Sequence, residues 1–97
     1  MVSVIFSNKS VIDLDLIAGH IALDSPINAV LFIKKMRIHC KNLGQFPESH
    51  SIFSEVHPEL RFSPHKRYII LYRFEKNEVL IERIIHSAQD ILEILSN

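Results

Sequence analysis

Ninety-seven residues, 47% hydrophobic and 23% charged, suffice for one modest core and are too apolar for a disordered chain. Eleven basic and eleven acidic side chains cancel, which argues against a domain held to nucleic acid mainly through phosphates, since such domains are generally basic. Cys40 is the only cysteine, so no internal disulfide can form. No apolar run nears the ~18 residues of a membrane span, and the start lacks a basic-then-apolar leader. These features lead us to expect one cytoplasmic domain over residues 1–97, with no membrane contact.

Residues 2–6 read as a short apolar strand. Ser10 and Asp13 give the S-x-x-D signal that opens a helix, followed by Leu14, Ile17, Ala18 and Ile21 on one helical face. Asp24-Ser25-Pro26 stops this helix and starts a second. Ser25 suits an N-cap, and Pro26 suits the first helical position, where no N–H is needed. So short a link predicts an antiparallel helix hairpin. The second helix is expected to run to Leu43, with Gly44 ending it. At ~100° per residue it has two apolar sides. Ala29, Phe32, Ile33, Met36, Cys40 and Leu43 form a broad stripe for the sheet. Ile27, Leu31 and Ile38, flanked by Lys34 and Lys41, form a narrow one, expected to pack on the first helix or to stay free as a contact surface.

Residues 45–57 read as a loop, 59–63 as a brief strand, and Ser63-Pro64-His65-Lys66 as a turn. Two apolar runs follow, 68–74 and 79–85, rich in Ile, Tyr, Val and Leu and divided by Lys76-Asn77. That is the pattern of a tight β-hairpin. Ser87-x-x-Asp90 then opens a final helix over 87–95, apolar at Ile91, Leu92 and Leu95.

The chemistry is sparse. His50, His57 and His65 lie seven and eight residues apart with no paired ligand motif, so no metal is expected. The only glycines are Gly19 and Gly44, too few for a phosphate-binding loop. His39 and Cys40 are helical neighbours that point apart and cannot work as base and nucleophile. What remains is cationic: Arg61, Lys66, Arg67 and Arg73 occupy positions 61–73 without an acid. Alternation puts Arg67, Ile69, Leu71 and Arg73 on one face, and Tyr68, Ile70, Tyr72 and Phe74 on the other. The aromatic face is expected to seat the helix pair. The arginine face is expected to meet Arg61 and Arg83 from neighbouring strands, suited to RNA phosphates or an acidic protein segment. Read as plain surface, that face has Glu75 and Glu82 for ion pairs, Arg83 has Glu75 or Glu78 across the hairpin, and His86 is a hydrogen-bonded strand end.

The ordered set Arg61, Tyr68-Ile69-Ile70-Leu71-Tyr72-Arg73, Ile81-Glu82-Arg83-Ile84-Ile85-His86, Ser87-Ala88-Gln89-Asp90 resembles the C-terminal part of the RelE/ParE family of small bacterial toxins. Its His-small-x-x-Asp ending is closer to the ParE branch, and Asp13-Leu14, Leu43 and Pro47 also match family habits. Three positions depart: His50 and Ser87 stand where a Gly is usual, and Gln89 where many ParE-like chains carry Arg.

The resemblance implies an α+β fold in the order β-α-α-β-β-β-α, with an antiparallel helix hairpin on a mainly antiparallel four-stranded sheet. It also implies the toxin of a type II toxin–antitoxin system, without a cofactor. ParE-like members bind and block DNA gyrase and need no catalytic residue. RelE-like members cleave messenger RNA on the ribosome, and Arg61, His65, Arg83 and His86 are then the RNA-site candidates, though no pairing of general base with general acid is visible among them. An inactive family member is the third reading. By the same analogy Arg61, Lys66, Arg67, Arg73 and Arg83 would contact the target, and a cognate antitoxin would cover Ile27, Leu31 and Ile38, in a hetero-oligomer or over a toxin homodimer.

Overall fold

In the computed structural model, which describes residues 2–96, two serines decide where the long helices begin. Strand β1 (Ser3–Phe6) leads directly to Ser7, which caps α1 (Asn8–Ala22) by accepting the Ser10 amide at 3.0 Å. The expected cap at Ser10 is thus one turn late. Ser10 is buried inside the first turn, its hydroxyl donating to the Ser7 carbonyl at 2.8 Å. Ser25 caps α2 (Pro26–Asn42) as expected, accepting the Asn28 amide at 3.2 Å, with Pro26 in the first turn. After α2, Gly44 keeps a negative φ. It is needed for space, because a Cβ there would lie 2.8 Å from the Val2 carbonyl oxygen.

The remaining strands are β2 (Ile52–Ser54), β3 (His57–His65), β4 (Tyr68–Glu75) and β5 (Glu78–His86), followed by the one-turn helix α3 (Ile91–Leu95). The sheet order is β1-β5-β4-β3-β2, with β1 parallel to β5 and the other pairs antiparallel. The class is the expected α+β, with five strands in place of four. The three-residue β2 lies in the stretch read as a loop, too short to show alternation. Strand β3 runs through Ser63, Pro64 and His65, which had read as a turn. Pro64 is tolerated because the β2 pairing ends at Arg61, so its missing N–H falls on an open edge. The true turn is Lys66-Arg67. The Lys76-Asn77 turn forms where expected, with φ of 52° and 60°, values that fit a twist-compatible hairpin turn. Helix α3 starts at Ile91 in place of the expected 87, capped by Asp90 and not Ser87.

Alternation in β4 holds. Ile70 and Tyr72 are fully buried against Leu14, Ile17, Met36 and Cys40, with Tyr68 and Phe74 packed beside them. The Tyr72 hydroxyl donates to the Pro47 carbonyl at 2.8 Å, which satisfies the one polar atom its burial would strand. On the reverse face Leu60, Leu71 and Ile85 are buried, and Ile94 and Leu95 of α3 line a concavity with Leu60 and Arg73. The narrow stripe of α2 does not pack on α1: Ile27, Leu31 and Ile38 are 73%, 50% and 51% exposed. The helices meet along small residues instead, around an apolar crevice lined by Ala18, Gly19, Ala22 and Ala29.

Strand β5 holds the least readable feature. Its register steps from Leu71–Arg83 to Tyr72–Ile81, leaving Glu82 as the extra residue of a β-bulge. The bulge lets Val79, Ile81 and Ile84 all face the helices, which strict alternation forbids. Because β1 pairs only as far as Ile81, residues 82–86 would present an open edge. Helix α1 closes it. Ser7 donates its amide to the Ile81 carbonyl at 3.0 Å and its hydroxyl to the Glu82 carbonyl at 2.7 Å. Asp13 accepts the Ile84 amide at 2.9 Å and both Nε and Nη2 of Arg83 at 2.9 and 3.0 Å. Arg83 therefore pairs with α1, not with Glu75 or Glu78 across the hairpin.

Removing this carboxylate leaves a buried amide and a guanidinium without partners. Asp13→Ala is expected to lower the unfolding free energy by about 3 kcal/mol. Asp13→Asn, which still offers an oxygen to Ile84, should cost less. Equal losses in a urea titration would show that the backbone bond contributes nothing.

Candidate functional site

The end of the sheet at the Lys66-Arg67 turn gathers the polar aromatics. Register places His65, Tyr68 and His86 side by side on the helix-facing surface, and α2 adds Phe32 and His39. The result is an unbroken run of five rings. His39 to His65 is 4.6 Å between centroids, His65 to Phe32 is 6.1 Å, Phe32 to Tyr68 is 5.6 Å and Tyr68 to His86 is 5.2 Å. Most of these contacts are tilted or edge-on, as ring quadrupoles prefer.

Each imidazole is held differently. His39 Nε2 lies 2.8 Å from the Ser63 hydroxyl. Burial, then the neighbouring His65 and His50, pull its pKa down. Burial, then Lys66, do the same to His65, whose Nε2 is buried without a partner. His86 Nδ1 accepts the Ala88 amide at 3.0 Å, so the neutral ring carries its proton on Nε2. The Ser87 amide donates to the Arg67 carbonyl at 2.8 Å, tying the turn to the end of β5. A concavity of about 350 Å³ opens here, lined by His20, Ile21, Phe32, Lys66, Tyr68 and His86, with Arg67 at its rim.

Arg61, Lys66, Arg67, Arg73 and Arg83 do not form one face. Arg61 pairs with Tyr72 and so projects on the helix side, where its guanidinium donates to the carbonyls of His50 at 2.6 Å and Glu48 at 3.3 Å. Arg73 lies on the reverse side, in ion pairs with Glu82 at 2.7 Å and Glu75 at 3.8 Å. Arg83 is held by Asp13. Lys66 and Arg67 are exposed and in no ion pair among the described residues. Of the four RNA-site candidates, His65 and His86 flank Tyr68, while Arg61 and Arg83 are engaged elsewhere. Among the described residues no three His, Cys, Asp or Glu side chains are close enough to share a metal ion. Burial pushes the Cys40 thiol up to about 12, which leaves it unreactive.

Sequence reasoning missed His20 and Phe32 as neighbours of His86 and Lys66. The available signal was spacing: His20 stands three residues after Ile17, beside the buried stripe of α1.

A second surface lies on the outside of α2. Ile27, Leu31 and Ile38 are flanked by Lys34 and Lys41, and the helix carries no acid. Among the described residues no helix is long and apolar enough to cross a membrane.

Residues 4–91 match the family described as ParE toxin of type II toxin-antitoxin system, parDE. The chain is also similar to a solved structure of the chromosomal ParDE TA system from P. aeruginosa, at 27% identity and a TM-score of 0.78, over 89% of this chain and 96% of that one. A search of curated proteins gives no match.

The half-buried imidazoles of His39 and His65 predict a pH dependence. With folded pKa values of His39 and His65 below the unfolded value, the unfolded chain binds more protons, so stability rises with pH. Stability should be level above about pH 6.5, the unfolded histidine value, and fall as pH drops below it. Urea midpoints at pH 7.5 and 5.0 should differ less in His39→Gln than in the parent chain, and an unchanged difference would clear His39.

Proposed function

Because the chain belongs to the ParE toxin family of type II toxin–antitoxin systems, we propose that it acts by binding DNA gyrase, with no bond-making chemistry of its own, and that a cognate antitoxin neutralises it. The observation that carries this reading is the dispersal of the RNA-site candidates. Strand scission needs a base, an acid and a phosphate-stabilising cation within reach of one phosphodiester. Here the guanidinium of Arg61 supports a loop, that of Arg83 clamps α1, and only His65 and His86 remain near each other, on either side of Tyr68. A binder needs none of that convergence. Lys66 and Arg67, the target-contact candidates that no internal ion pair or carbonyl engages among the described residues, would lead the contact with gyrase, while Arg61, Arg73 and Arg83 brace the strands that present them. The site of action would be the cytoplasm, where gyrase and antitoxin are found.

The antitoxin surface we assign to Ile27, Leu31 and Ile38. Three exposed aliphatic side chains in one helical row, flanked by lysines, suit an amphipathic partner segment with acidic margins.

Purified protein added to gyrase and relaxed plasmid should block supercoiling, and replacing Lys66 and Arg67 with Ala should weaken the block about tenfold. Message cleavage on ribosomes with gyrase untouched would overturn the reading. Leu31→Glu should abolish co-purification with the antitoxin and change stability by no more than about 0.5 kcal/mol, since the site is exposed. A variant that unfolds would show that the stripe supports the core.

A further inference from the structure

We propose that the cleft at the β3–β4 turn is a nucleotide-phosphate site, in which Lys66, Arg67 and His86 hold the phosphate and Phe32 and Tyr68 seat the base. Four elements converge on it: α1 brings His20, α2 brings Phe32, the turn and β4 bring Lys66, Arg67 and Tyr68, and β5 brings His86. The charge there is unbalanced. Among the described residues the ion pairs are His57–Glu59, Arg73 with Glu75 and Glu82, and Arg83–Asp13, so neither turn cation is neutralised. Among the described residues no carboxylate lines the cleft. Asp13 lines the adjoining one, but its oxygens are taken by Arg83 and the Ile84 amide.

The donors are also fixed in place. The Arg67 carbonyl is bound by the Ser87 amide, which anchors the turn. His86 is locked by the Ala88 amide with Nε2–H left as the donor. Lys66 itself sits at φ 56°, a region where a turn would ordinarily place glycine. Glycine would make that turn more easily. The aromatic walls select the ligand. A bare inorganic anion would use only the cations, whereas a base offers a π-face to Phe32 and Tyr68, whose rings stand edge to face 5.6 Å apart. Local charge suffices, because the field that matters acts within a Debye length of about 8 Å.

The inference stands apart from the gyrase reading, since the test uses the purified chain alone. ATP and hexathymidylate are titrated while histidine ring resonances are followed by NMR, with adenosine as the control for the base alone. Both phosphate ligands should bind saturably and shift His20 and His86 but not His57. Binding of ATP should weaken between 50 and 250 mM salt, as exposed phosphate–cation contacts are screened. The double variant Lys66→Gly, Arg67→Gln should bind at least tenfold more weakly yet melt no lower, because glycine fits the turn. Tighter binding of the hexanucleotide would identify a strand as the source of phosphate, and tighter binding of ATP a free nucleotide. Absence of saturable binding, adenosine binding as well as ATP, or a double variant that binds like the parent would each overturn the proposal.

Discussion

The Asp13 carboxylate holds the two halves of the molecule together. It sits on α1 at 9% exposure and takes the Ile84 amide and the Arg83 guanidinium, seventy-one and seventy residues away in sequence. With Ser7 it finishes the edge of β5 that β1 leaves open, so α1 can lie against the bulged strand in only one register. The tight link at Ser25 then sets α2, and α2 sets which rings face the sheet. A buried pair of this kind can contribute little net stability over an apolar replacement, yet losing one partner is costly. Its value is in specifying the arrangement: the same clamp that orients α1 carries His20 to the wall of the cleft beside His86.

How much of this was legible depended on whether a feature was local. The β4 alternation could be read because Tyr68, Ile70, Tyr72 and Phe74 obey a period of two with no interruption. Ser25-Pro26 and Lys76-Asn77 could be read because cap and turn chemistry is written in adjacent residues. The bulge at Glu82 leaves no such mark: neither glycine nor proline announces it, and an Ile81/Ile84 pair facing the core looks from sequence like a helical spacing. Pro64 misled for the opposite reason. It signals a turn strongly, but it sits on a strand whose outer neighbour is too short to need its N–H.

The cations show the same limit more sharply. Strand parity predicts which face a side chain leaves from, but not which carboxylate it then finds. Arg61, counted with the others as one positive face, belongs by register to the helix side and goes to two loop carbonyls. Arg83 reaches around the edge to a helix that sequence distance gave no reason to connect with it. The resemblance of the C-terminal third to the ParE branch held up under comparison because it rested on an ordered series of residues, and that order survives whatever each arginine does. The roles of individual side chains depend on three-dimensional neighbours and could not be inherited from it.

A formal charge of zero therefore conceals a division of labour. Arg73 and Arg83 are spent on carboxylates, and Arg61 on backbone oxygens, so none of the three offers a free charge to a partner. Among the described residues the cations left without an ion pair include the Lys66-Arg67 turn and the lysines along the outside of α2. Charges separated by more than a Debye length barely sense each other at physiological salt, so a neutral total does not cancel a local patch. It does remove the long-range pull that makes basic proteins stick to any polyanion. A chain built this way can hold an acidic group where its cations cluster without being drawn to every polyanion, so the placement of charge matters more than its total.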